Sequence, residues 1–138
     1  MIDLLILIPN KIHNETGVNK VSTNFIKIFK NKKNFTYGEI NISNSIKKYI
    51  FKDLKSLLRY LFIGIFNKKF QKARILFSTT SRLPIFGLKK DLFKIIFVHD
   101  LIYIRKPNTM RKISFIADSL FIPNAIKRSD LVICASKS

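Results

Sequence analysis

The stretch that decides the fold runs from residue 92 to residue 107 and reads LFKIIFVHDLIYIRKP. Its first part, Phe93 to Val98, is a run of apolar β-branched and aromatic residues that only Lys94 interrupts. A short run that is apolar on both faces is typical of an interior strand of a parallel sheet, which helices cover on both sides. The run stops at His99 and Asp100. We therefore predict an interior strand with a titratable pair at its carboxyl end, where open α/β sheets bind their ligands.

Two interpretations of this His-Asp pair are open. In the first, His99 and Asp100 are catalytic residues of a site at the edge of the sheet. In the second, Asp100 only caps the following turn and His99 packs beneath it. An isolated pair favours the second interpretation, whereas the order of the surrounding elements favours the first.

Strand and helix patterns alternate along the whole chain. Apolar runs bounded by polar residues predict four further strands, over residues 2–8, 35–42, 73–77 and 130–135. Apolar residues at helical spacing predict helices after Gly17, over 46–65 and over 113–121. Such alternation implies parallel βαβ units. The fold class is therefore α/β, with a Rossmann-like doubly wound parallel sheet in one domain, residues 1–138.

Three local features complete this prediction. Gly17 opens a helix after a strand and a polar loop, an arrangement that favours a phosphate or carboxylate at the helix N-terminus. Without a G-x-G-x-x-G motif, an ordinary strand-helix connection is the alternative. Pro123 is expected to break the last helix or to restart it. Cys134, the only cysteine, is expected to be buried in the last strand.

The helix over 46–65 is predicted to be amphipathic and basic. Its apolar positions share one predicted buried face: Ile46, Ile50, Leu54, Leu57, Leu58, Leu61 and Ile65. Its basic positions lie on the other: Lys47, Lys48, Lys52, Lys55 and Arg59. The helix either packs on the sheet with a solvated basic face, or lies against an anionic membrane surface through those five residues.

The excess of basic over acidic residues indicates which classes of partner to expect. Among 138 residues, 26 are Lys or Arg and 8 are Asp or Glu, which gives a net charge of +18. This excess favours anionic partners such as nucleic acid, anionic lipid or phosphorylated small molecules. The basic residues are spread along the chain and no nucleic-acid-binding motif occurs, so no specific nucleic acid is expected. Without a signal peptide or a long apolar segment, we predict a cytoplasmic protein, or one peripheral to the inner face of the membrane.

Four segments together resemble one family. They are GVNKVSTNFIKIF (17–29), LFSTTSRLP (76–84), VHDLIYIRKP (98–107) and FIPNAIKRSDLVICASKS (121–138). Their order resembles the N-terminal half of a GT-B glycosyltransferase of the retaining group called family 4, or glycosyl transferases group 1. The segments span nearly the whole chain. In that family, a second domain across a cleft mainly holds the nucleotide sugar, and no such domain follows Ser138.

The resemblance implies a role for six residues. Gly17 and Val18 would lie near the donor phosphate or the transferred sugar, and His99 beside the reacting sugar. Asp100 would shape the loop around it, and Ser136 and Lys137 would line the cleft. The resemblance implies a nucleotide-sugar co-substrate, no metal and no other cofactor. The acceptor would be a saccharide or a lipid-linked saccharide of surface polysaccharide or glycolipid biosynthesis.

This interpretation has two competitors. With the donor-binding half missing, the chain is expected to be inactive by itself, as a truncated fragment or as one subunit of a split enzyme. The first competitor is a non-catalytic basic module that binds anionic membrane or nucleic acid. The second is an inert fragment with an exposed cleft face.

Overall fold

The computed structural model describes residues 1–8, 17–32, 35–41, 52–99 and 101–135. Its strands are β1 (Ile2–Ile8), β2 (Tyr37–Asn41), β3 (Ala73–Ser78), β4 (Phe93–Val98) and β5 (Leu131–Cys134). Its α-helices are α1 (Gly17–Lys30), α2 (Lys52–Phe66), α3 (Lys69–Lys72), α4 (Ile102–Arg105) and α5 (Lys112–Arg128). A short 3-10 turn, Pro107–Thr109, separates α4 from α5.

The described strands form one sheet in the order β2-β1-β3-β4-β5, and every neighbouring pair is parallel. This confirms the predicted α/β fold with a doubly wound parallel sheet. From β1 the chain passes to β2 on one side, whereas β3, β4 and β5 follow on the other. The direction of winding therefore reverses between β1 and β3. At such a switch point the connections leave in opposite directions and open a crevice outside the carboxyl ends of the strands.

Helices cover the sheet on two faces, and the alternation of side chains along β1 explains why. Leu4, Ile6 and Ile8 point to one face, where α1 packs over them. The Phe25 ring of α1 meets Phe77 of β3 edge-on, with the ring centroids 4.8 Å apart. Residues of α2 and α5 cover the opposite face, in a core cluster that includes Leu5, Leu7, Tyr60, Ile63, Leu76, Ile96, Ala117 and Phe121.

The buried face of α2 differs from the predicted one. Tyr60, Ile63 and Gly64 are buried, whereas Leu58 and Ile65 are exposed. The loop between β3 and β4 packs directly on this helix, and the Gly64–Gly87 contact between their backbones is too close for a Cβ on either residue. The prediction was wrong for Leu58 and Ile65, because the packing of this loop places Tyr60 and Ile63, which were not among the predicted buried residues, towards the core. Leu61 packs against the core as predicted. Ile46 and Ile50 lie outside the described residues.

Two further expectations are wrong. Helix α5 continues through Pro123 without a break, because Phe121 and Ala125 on either side of it pack into the core and hold both halves in place. Cys134 is exposed rather than buried. It lies on β5, which forms the edge of the described sheet, and Leu131 and Val132 of the same strand are exposed as well.

Candidate functional site

The candidate site lies at the carboxyl ends of β1, β3 and β4, and Thr79 is its central residue. Thr79 follows β3 and is fully buried. Its backbone N–H and its hydroxyl both donate to the carbonyl of Leu7, at 3.2 and 3.1 Å. Its hydroxyl also accepts a hydrogen bond of 2.7 Å from Ser22 of α1. Thr79 therefore joins β1, β3 and the first turns of α1 at the switch point of the sheet.

The residues after β3 form a tight hydroxyl-rich loop, Ser78–Arg82. Ser78 donates to the carbonyl of Arg82 at 2.6 Å, and its oxygen lies 3.0 Å from the Thr80 hydroxyl. Ser81 has a φ of 56°, a backbone conformation that residues other than glycine rarely adopt. The Ser81 hydroxyl donates to the carbonyl of Phe97 at 2.8 Å, which fastens the loop to the end of β4. A strained residue that its surroundings hold in place is typical of functional sites.

His99 lies immediately after β4 and is half-buried against this loop. Its ring nitrogen Nε2 is 2.8 Å from the carbonyl oxygen of Thr79, and its ring packs on Phe97 with centroids 4.7 Å apart. Because a carbonyl oxygen can only accept, we assign the hydrogen to Nε2. In the neutral ring, Nδ1 then carries the lone pair. The backbone carbonyl of Thr79 thus orients the His99 ring, and Nδ1 is the ring atom that can accept a hydrogen bond or a proton.

An ion pair closes the side of the loop that faces the helices. The guanidinium of Arg82 donates to one carboxylate oxygen of Asp118 in α5, and about four fifths of both side chains is buried. The same guanidinium lies over the Tyr60 ring, 5.5 Å from its centroid. Burial raises the pKa of Tyr60, whose hydroxyl donates to Thr80 at 2.9 Å. This network fixes the loop relative to α2 and α5.

The structure describes three of the six predicted site residues. His99 lies at the switch-point crevice, as expected of a residue after β4. Gly17 and Val18 form the start of α1, and Ser22 in the same helix contacts Thr79. Asp100, Ser136 and Lys137 lie outside the described residues. The structure thus brings His99 and the start of α1 to the same edge of the sheet, and the catalytic and binding roles of all six remain predictions.

Sequence reasoning missed the residues that build this site. Thr79, Ser81 and the Arg82–Asp118 pair were not among the predicted site residues. A signal was present, since four consecutive hydroxyl residues follow a buried strand at the edge where α/β sheets bind ligands. The pairing of Ser22 with Thr79 had none, because 57 positions separate the two residues.

An open cavity of about 590 Å³ lies at the opposite edge, beside the amino ends of β1, β3 and β4. Phe35, Ile75 and Phe93 supply its apolar wall. The pairs Asp3–Arg74 and Lys89–Asp91, with 3.8 and 3.2 Å between charged atoms, lie at its rim. Of the predicted site residues that the structure describes, none lines it. It is therefore separate from the crevice around Thr79.

No three His, Cys, Asp or Glu side chains in the described part of the chain come close enough together to hold a metal ion. None of its helices combines the length and apolar character that crossing a membrane requires.

No family, curated protein or solved structure matches the chain, so any assignment of its function rests on its own residues.

Proposed function

We propose that the chain is the acceptor-side domain of a nucleotide-sugar-dependent glycosyltransferase. The observation that carries this proposal is the placement of His99, which follows an interior parallel strand next to the switch point and is held by the Thr79 carbonyl at 2.8 Å. The four segments that resemble family 4 enzymes support it too. Its acceptor is a saccharide or lipid-linked saccharide of surface polysaccharide or glycolipid biosynthesis.

The chemistry of sugar transfer suits this crevice. When a sugar leaves a nucleotide diphosphate, negative charge grows on the leaving phosphate and positive charge on the sugar. Fixed amide dipoles, such as those at the N-terminus of α1, stabilise an anion without having to reorient during the reaction. His99 accepts a hydrogen bond from a sugar hydroxyl through Nδ1, because the Thr79 carbonyl occupies Nε2.

In the GT-B architecture the two domains hold different substrates, and this determines what we expect the 138 residues to do. In that architecture a second domain mainly holds the nucleotide sugar, which serves as co-substrate. We therefore expect these residues to bind the acceptor, and the other domain of that architecture to hold the donor. We propose no role for a metal ion.

Saturation-transfer NMR on the purified chain tests the proposal, with a panel of saccharides, nucleotide sugars and free nucleotides. We expect some of the saccharides to bind. His99→Ala should abolish that binding, whereas His99→Gln, which offers an amide N–H to the Thr79 carbonyl, should keep the fold and lose only affinity. Asn108→Ala, an exposed change in the 3-10 turn, is the matched control. Binding that is absent from the whole panel, or unchanged in both His99 variants, would contradict the proposal.

A basic binding module is the second candidate, and the net charge of +18 favours it. If the chain bound RNA or DNA with an affinity that fell steeply with salt and that preferred one sequence or structure, this candidate would replace the first.

A further inference from the structure

Large apolar side chains are exposed on the second half of α2. Four large side chains there are between 38% and 82% exposed: Phe62, Leu58, Ile65 and Phe66. Their spacing places them together, opposite the face that buries Tyr60 and Ile63. Because monomeric proteins seldom expose several large apolar side chains side by side, such a stripe indicates an interaction surface.

Phe86 extends this stripe from the loop between β3 and β4. Its ring is 49% exposed and stacks on Phe62 with centroids 5.7 Å apart. The loop is tied to the helix, since the N–H groups of Ile85 and Phe86 donate to the Tyr60 and Leu61 carbonyls at 3.1 and 3.0 Å. The Gly64–Gly87 contact brings the two backbones together beneath the rings. The fold therefore holds exposed aromatic side chains on a fixed base.

We call Leu58, Phe62, Ile65, Phe66 and Phe86 the apolar patch. Basic residues occur in the segments that carry it and in those that follow. By helical spacing, the positions of Lys55 and Arg59 share the face of Phe62 and Phe66. Three exposed lysines lie just after α2, at the end of α3 and in the loop beyond Gly87: Lys68, Lys72 and Lys90. Exposed apolar side chains on a chain of net charge +18 complement a surface that is anionic outside and hydrocarbon inside.

We propose that the apolar patch docks on the surface of an anionic lipid bilayer, with α2 lying in the plane of the interface. The apolar tips enter the boundary between headgroups and acyl chains, and the lysines contact lipid phosphates. This differs from the sequence prediction, in which the basic positions of the helix made the contact and Leu58 and Ile65 were buried. The docking surface is independent of the proposed transferase function.

Two other occupants fit less well. A second copy of the chain would bring two molecules of charge +18 together, and their repulsion opposes association. Nucleic acid would need free aromatic faces for base stacking, but Phe62 and Phe86 each give one face to the other ring. Leu58 and Ile65 have no aromatic face and suit acyl chains.

Vesicle flotation with the full chain tests the proposal. We expect the protein to float with vesicles of equal parts phosphatidylcholine and phosphatidylglycerol, and to stay at the bottom with phosphatidylcholine alone. The double variant Phe66→Ser/Phe86→Ser should partition at least about tenfold more weakly, since it removes two large apolar contacts. Ile28→Ser is the matched control, because Ile28 is 55% exposed on α1, across the sheet.

Thermal unfolding shows whether each variant is folded, and Phe66→Ser alone replaces the double variant if that one is not. Four results would overturn the proposal. The first two are that the protein fails to float with anionic vesicles, or floats equally well with neutral ones. The third is that Ile28→Ser weakens flotation as much as the double variant does. The fourth is that the protein forms a dimer or an RNA complex that depends on the patch, while it does not bind vesicles.

Discussion

Thr79 connects parts of the molecule that are far apart in the sequence. Its hydroxyl is buried between the Leu7 carbonyl and the Ser22 hydroxyl, and its own carbonyl holds the His99 ring. A buried hydroxyl with two partners has a large effect when it is removed, because those partners lose a hydrogen bond away from water. The position of the histidine thus depends on a residue with no chemical role of its own.

We predict that Thr79→Val lowers the free energy of unfolding by about 1–3 kcal/mol, since valine keeps the shape and loses both hydroxyl bonds. Urea denaturation measures the difference. Thr109→Val is the control, because the Thr109 hydroxyl bonds a carbonyl at the surface, and its effect should stay within about 0.5 kcal/mol. Equal effects of the two substitutions would show that Thr79 is not the central residue of the site.

Among the elements, the strands followed from the sequence and the orientation of α2 did not. Strands β1 and β4 begin and end where their apolar runs predicted, because burial on both faces leaves little choice of residue. The face of α2 was predicted wrongly, because a helix that is apolar around most of its circumference gives no signal for which side meets the sheet. The Gly64–Gly87 contact decides that orientation, and only the structure shows it.

We predict that Gly64→Ala destabilises the protein by about 1–3 kcal/mol, although alanine is the better helix former by about 1 kcal/mol. The new Cβ would lie 2.2 Å from the Phe86 carbonyl oxygen, so the loop must move. Asn24→Ala, at an exposed position of α1, should not destabilise it. Urea denaturation of both variants checks this, and a neutral or stabilising Gly64→Ala would mean that the loop does not pack as described.

The edge strand β5 is held by Asp130, and that contact depends on pH. Asp130 accepts hydrogen bonds from the Lys94 N–H at 2.7 Å and from the Lys94 ammonium at 3.0 Å. Both bonds, with the backbone one the larger cause, hold the pKa of Asp130 below its ordinary value of 3.8. A carboxyl whose pKa is lowered by folding stabilises the protein above its unfolded pKa, and this contribution is lost as the pH falls through the folded value.

Asp130→Asn should therefore lower the unfolding temperature at neutral pH. Its difference from the unchanged protein should shrink as the pH falls from about 5 towards 2. Thermal unfolding at several pH values, followed by circular dichroism, gives this comparison. A difference that stayed constant over the range would show that the charge of Asp130 contributes nothing.

At the scale of the whole molecule, two surfaces lie on different parts of the fold. The carboxyl edge of the sheet carries His99 and the start of α1, and the apolar patch lies on the outer side of α2. The fold class was predictable, and so was the edge at which His99 lies, because the order of strands and helices follows general rules for parallel sheets. The hydroxyl network was not, because it arises from contacts between segments distant in sequence. The apolar patch was not, because the contact between α2 and the loop at Gly87 decides which side of the helix faces solvent.

The central claim is that the crevice around Thr79 binds a saccharide. Backbone amide chemical shifts of the full chain, followed while the best-binding saccharide is added, test it most directly. We predict that the largest shifts occur at Thr79, Ser81 and His99 and in the first turns of α1. Shifts that instead clustered around the cavity at the amino edge, near Arg74 and Phe93, would contradict the claim.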